Sequence, residues 1–115
     1  MAGTLGVALH DRFNALKWLA PSPSHDKEYV VTATGDRAFA SLDVDVESSR
    51  AQRRRFAYAC LDWSERRPHL GGSLAAAILK MALKRKWVEQ DLDSRALEIT
   101  RVGRRELQRQ LDLAL

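Results

Sequence analysis

The run MAGTLGVALHDRFNALKW at residues 1–18 returns in register as LGGSLAAAILKMALKRKW at residues 70–87. Gly3, Leu5, Ala8, Lys17 and Trp18 fall on Gly72, Leu74, Ala77, Lys86 and Trp87. Thr4, Leu9 and Leu19 meet Ser73, Ile78 and Val88, each a conservative change. After a one-residue shortening, residues 31–39 align with residues 99–107, placing Thr32 on Thr100, Gly35 on Gly103 and Arg37 on Arg105. A fixed-period match of this length marks one supersecondary unit used twice. The repeats are residues 2–42 and 71–111, and a chain of 115 residues has room for both and one connector.

Each copy carries the same local instructions. Leu5, Leu9, Phe13 and Leu16 recur at helical spacing, as do Leu74, Ile78 and Met81 with Ala77 and Ala82 beside them. A short strand is expected next, at residues 17–20 and 86–89. The polar connections PSPSHDK and QDLDS lead to a return strand, in which Tyr29 and Val31, or Leu97 and Ile99, alternate inward. Thr32 and Thr100 then stand where a helix N-cap is needed. Helix, strand, turn, strand, helix is the back half of a winged helix. The connector reads as a linking helix over about residues 46–66, capped by Asp45 or Ser48, with Phe56, Ala59, Cys60 and Trp63 along one face and Pro68 ending it before His69. The expected fold class is α+β, mostly helical: two winged-helix-like repeats joined by a central helix in a single compact domain.

Charge divides the chain. Residues 1–49 hold four Lys and Arg against seven Asp and Glu, and residues 50–115 hold fifteen against eight. Such asymmetry suits self-association or an anionic partner, and equally a plain solvated surface. No apolar run is long enough to span a bilayer, and no secretory signal opens the sequence. Cys60 is the one cysteine, which excludes an internal disulfide and fits a reducing cytoplasm.

CLDWSERRPHLGG (residues 60–72) and DSRALEITRVGRREL (residues 93–107) resemble the region C-terminal to the helix-turn-helix head of bacterial ArsR-type winged-helix transcriptional regulators. The second pattern is shared loosely with MarR-type regulators. Residues 2–42 look like the first copy of the same unit, so the resemblance covers essentially the whole chain. It implies transcription regulation in a bacterial cytoplasm, a homodimer, and DNA as partner. The helix-turn-helix head that reads DNA in this group has no counterpart in this sequence, so the resemblance implies a sensing or assembly role for this region.

The residues themselves argue against base readout here. A recognition helix shows polar side chains to base edges over its first turns. Here those turns read AGTLGVAL and GGSLAAAI, which suit close helix packing, within the chain or across a dimer. Backbone contact is a separate matter. Arg53, Arg54 and Arg55 form one run, followed by Arg66 and Arg67, then Lys84, Arg85 and Lys86; Arg101, Arg104 and Arg105 gather at the start of the last helix. These are the DNA-backbone candidates, with a solvated surface as the plain alternative.

No nucleophile-elbow, HExxH, paired-cysteine or phosphate-loop pattern occurs, so no catalytic function or cofactor is expected. Cys60, Asp62 and His69 are weak metal candidates at a spacing that matches no metal motif, and a packed histidine and a small buried thiol are the plainer roles. Trp18 and Trp87 either plug the core between helix and hairpin or, with Tyr58 and Trp63, wall a pocket for a small apolar effector. Two other function classes remain open beside the regulator: a protein-interaction module without a head and without DNA contact, and an effector-binding domain.

Overall fold

A computed structural model of the chain describes residues 3–53, 55–62, 66–94 and 96–114, with the backbone alone at Asp62. The element order is α1 (Gly3–Ala15), β1 (Leu19–Pro21), β2 (Tyr29–Val31), α2 (Ala33–Ser41), α3 (Val46–Ala51), β3 (Tyr58–Asp62), β4 (Arg67–Gly71), α4 (Ser73–Lys84), β5 (Val88–Gln90), β6 (Leu97–Ile99) and α5 (Arg101–Leu111). The architecture is α+β and winged-helix-like. Its strands form three antiparallel hairpins, β1–β2, β3–β4 and β5–β6. The chain divides into two compact units, Met1–Ile78 and Leu79–Leu115, with the boundary inside α4.

The repeat recurs at the level of single hydrogen bonds. α1 ends because Lys17 turns left-handed at φ 61°, and α4 because Lys86 does so at φ 59°. Trp18 N–H then reaches back to Phe13 O at 2.9 Å and Lys17 N–H to Asn14 O at 3.1 Å. In the second copy Trp87 N–H reaches Ala82 O at 2.8 Å and Lys86 N–H reaches Leu83 O at 3.1 Å. Both are Schellman closures, with lysine at the position glycine usually takes.

The hairpins also turn alike. Ser22 Oγ accepts from the N–H groups of Ser24 and His25, and Asp91 Oδ1 from those of Asp93 and Ser94. A short polar side chain thus closes each connection over its own backbone. The strands are shorter than the sequence suggests, because Lys17–Trp18 and Lys86–Trp87 form the helix exits instead of extended chain.

The next helix of each copy is clasped to that exit. Thr32 Oγ1 donates to Lys17 O at 2.6 Å and accepts from Gly35 N–H at 3.0 Å. Thr100 Oγ1 donates to Lys86 O at 2.6 Å and accepts from Gly103 N–H at 2.9 Å. Thr32 N–H and Thr100 N–H bond the carbonyls of Trp18 and Trp87 at 3.0 and 2.9 Å. One threonine therefore caps a helix and ties it to the preceding one.

The connector departs from the sequence reading. The helix expected over about 46–66 stops at Ala51, and the chain then forms the β3–β4 hairpin. Asp45 does cap α3, accepting from Ser48 N–H at 3.0 Å. Beyond it, Tyr29 N–H bonds Ala57 O at 3.0 Å and Ala59 N–H bonds Lys27 O at 2.8 Å, fixing β3 to the first hairpin. α1 lies along β4. Pro68 does not end a helix; it sits within β4, opposite Leu61, in a two-stranded sheet whose outer edge needs no N–H from it. These long-range pairings override the helical spacing of Phe56, Ala59 and Cys60.

In the first unit Phe13, Phe39 and Trp18 form the aromatic centre, with Phe39 wholly buried. In the second, Trp87, Val88, Leu107 and Leu111 are buried. No helix among the described residues is long and apolar enough to cross a membrane.

Candidate functional site

The first turns of α1 and α4 are packing surfaces. Leu5, Val7 and Leu9 are buried in α1, and Ser73, Leu74, Ala75 and Ile78 in α4. Ser73 N–H is held by Arg55 O at 2.9 Å and Leu74 N–H by Phe56 O at 2.9 Å, while Ser73 Oγ donates to Ser49 O at 2.7 Å. The start of α4 is thus sealed by protein acceptors, with neither donors nor side chains left to project from these residues.

The basic candidates separate into two groups. In the first unit, Arg55 lies 3.9 Å above the Tyr58 ring and pairs with Glu28 at 3.1 Å, so its charge is engaged locally. Arg67 pairs with Asp11 and so ties β4 to α1. Arg53 and Arg66 are exposed on separate segments, Arg66 in the turn between β3 and β4 at φ 54°. Arg54 lies outside the described residues.

The second unit gathers the rest. The bond from Thr100 Oγ1 to Lys86 O sets the start of α5 against the end of α4. Arg104 N–H bonds Thr100 O at 2.9 Å, which carries the first turn of α5 into the same junction. Lys84, Arg85 and Lys86 leave α4 there, and Arg101, Arg104 and Arg105 begin α5 there. All but the half-buried Arg85 are exposed. Among the described residues, Lys84, Lys86 and Arg101 have no ion-pair partner.

The aromatic candidates sit in separate surroundings. Trp18 stacks on Phe13 at 5.5 Å and meets the edge of Phe39 at 5.3 Å, within the first unit. Trp87 is buried in the second unit. Tyr58 lies under Arg55 and against Gly71, and Trp63 is outside the described residues. One cavity of about 160 Å³ is lined by Thr4, Val7, Ala8 and Arg67, and another of about 290 Å³ by Asp36, Ala40, Val44, Asp45, Val46 and Glu47. No tryptophan lines either one.

Cys60 is paired with His69 directly across β3–β4, and Asp62 with Arg67 two pairs further along. Among the described residues no three metal-ligating side chains converge.

One polar network is new to the structure. His10 is buried on α1, with Nε2 2.7 Å from the Tyr29 hydroxyl and Nδ1 3.3 Å from Asp11. A neutral ring satisfies both: Nδ1–H donates to Asp11 and Nε2 accepts from Tyr29 O–H. Burial, then the nearby Arg67 charge, lowers the His10 pKa from its ordinary 6.5, and burial raises that of Tyr29. The sequence signal was present, since His10 sits between Leu9 and Phe13 on the apolar face of α1.

A pH dependence follows. The unfolded chain takes up the His10 proton near pH 6.5, before the folded one does. Stability from this group is therefore intact above that value and declines as pH falls below it, until the folded form also protonates. The melting temperature is expected to begin dropping as pH falls below about 6.5, above the usual carboxylate range. The drop should shrink in His10→Gln. An equal drop in both proteins would assign it to other groups.

The sequence is similar to that of the uncharacterised HTH-type transcriptional regulator YdfF of Bacillus subtilis (strain 168), at 36% identity over 90 residues. No family model and no solved structure matches the chain. The match covers 78% of this chain and 40% of the Bacillus protein, so the relationship is to part of an HTH-type transcriptional regulator.

Proposed function

We propose that this chain is the regulatory and assembly region of an ArsR-like winged-helix transcriptional regulator, acting as a homodimer in the cytoplasm, with DNA as the regulator's partner and no catalytic role. The observation that carries this reading is the burial of the first turns of α1 and α4, where Leu74 is 0% exposed and Ala75 2%. Helices placed this way serve packing, and base readout falls to another part of the regulator. The similarity to part of a Bacillus HTH-type regulator supports the transcriptional role.

Two measurements test it. Sedimentation velocity on the chain is expected to show a dimer, and selection from a random duplex library is expected to enrich no motif. A monomer at every concentration would remove the assembly role. An enriched motif that shifts on substitution of exposed Ala76 would make α4 a reading helix and overturn the proposal.

A further inference from the structure

We propose that the second repeat, and not the first, carries a site for the phosphate backbone of double-stranded DNA at the junction of α4 and α5. The inference rests on the regulatory reading above and names where that region meets nucleic acid. Its residues are Lys84, Arg85, Lys86, Arg101, Arg104 and Arg105.

The argument comes from comparing two copies of one backbone. In both, a left-handed lysine ends the first helix, and a threonine hydroxyl bonds that lysine's carbonyl at 2.6 Å. In both, a glycine N–H bonds the threonine. The first copy builds this junction with Ala15, Leu16, Lys17, Ala33, Asp36 and Arg37. Its two cations are offset by Asp36, which also pairs with Arg50 at 3.2 Å. The second copy has a cation at all six matched positions.

The fold therefore does not require the charges at Lys84, Arg85, Arg101 and Arg104, since the same junction closes in the first copy with Ala15, Leu16, Ala33 and Asp36 in their places. Crowding six like charges works against the compact state, and an anion relieves the repulsion. The side chains concerned are long and donors only, and all but the half-buried Arg85 are exposed, which suits phosphate oxygens and carries no base sequence. A duplex presents a negative charge roughly every 1.7 Å of axis, so one dense cluster meets several phosphates and releases their counterions.

The test is fluorescence anisotropy of the whole chain with a labelled duplex of arbitrary sequence across a salt series. For about three to five phosphate contacts, the slope of log K on log salt is expected near about −3 to −5. One triple variant gives the second repeat the first repeat's residues: Lys84→Ala, Arg85→Leu and Arg101→Ala. It is expected to lose affinity about tenfold or more and to flatten the slope by about two to three. A control removes three charges elsewhere, by Lys27→Ala, Arg37→Ala and Arg109→Ala, and should stay within about threefold of the parent.

Equal losses in the two variants, or salt-independent binding, would overturn the site. So would polyglutamate competing as well as DNA per charge, which would assign the surface to an acidic protein. Thermal unfolding checks that the triple variant folds; if it does not, exposed Arg101→Ala alone should flatten the slope by about one. A dimer that ignores DNA removes this site and leaves the assembly reading. A monomer with salt-dependent binding does the reverse.

Discussion

Gly103→Ala is expected to destabilise the protein by about 3 kcal/mol, at the upper end of what overpacking costs. A Cβ at Gly103 would stand 1.9 Å from Trp87 O, and at Gly35 2.2 Å from Trp18 O. Those carbonyls cannot withdraw cheaply. Each accepts the N–H of its capping threonine at about 3 Å, so moving the carbonyl also breaks the tie between the two helices. The glycine is needed for close approach, because both positions lie within helices of ordinary conformation. Urea unfolding of Gly103→Ala and Gly35→Ala should give comparable losses. A change under about 0.5 kcal/mol in either would mean that the clasp yields freely.

Phe39→Ala is expected to cost about 3–5 kcal/mol, the range for emptying a buried aromatic site. Phe39 is 0% exposed and meets Phe13 and Trp18 edge-on at 5.3 Å each. Truncation removes its own transfer free energy and leaves two rings facing a void that helix α2 cannot close without losing its cap. Its counterpart is Leu107, 2% exposed. Phe39→Leu should therefore recover most of the loss, since leucine already fills the matched position in the second copy. Calorimetric or urea unfolding of both variants checks this. Equal losses in Phe39→Leu and Phe39→Ala would mean that ring contact, and not volume, holds the site.

What was legible in the sequence was legible for local reasons. Thr32, Thr100 and Asp45 could be read as caps because capping is decided within three residues, and each accepts the N–H three positions on. The duplicated helix–hairpin–helix order was legible because both copies carry the same spacing. The segment at 52–71 was not, because its apolar residues fit a helix as well as a strand. Bonds joining that segment to the first hairpin, from Tyr29 N–H to Ala57 O and from Ala59 N–H to Lys27 O, decide the matter.

The sequence alone determined that one helix–hairpin–helix spacing occurs twice, that the leading helix of each begins on small residues ill suited to reading bases, and that the second half of the chain is basic. These are matters of spacing and residue type, fixed along the chain. Only the tertiary structure sorted the cations. Arg55 and Arg67 are turned to Glu28 and Asp11, neighbours distant in sequence, whereas Lys84, Lys86 and Arg101 have no ion-pair partner among the described residues and meet where the Thr100 hydroxyl bonds Lys86 O. Composition counts these charges equally; position relative to a partner decides which of them remain available to a ligand.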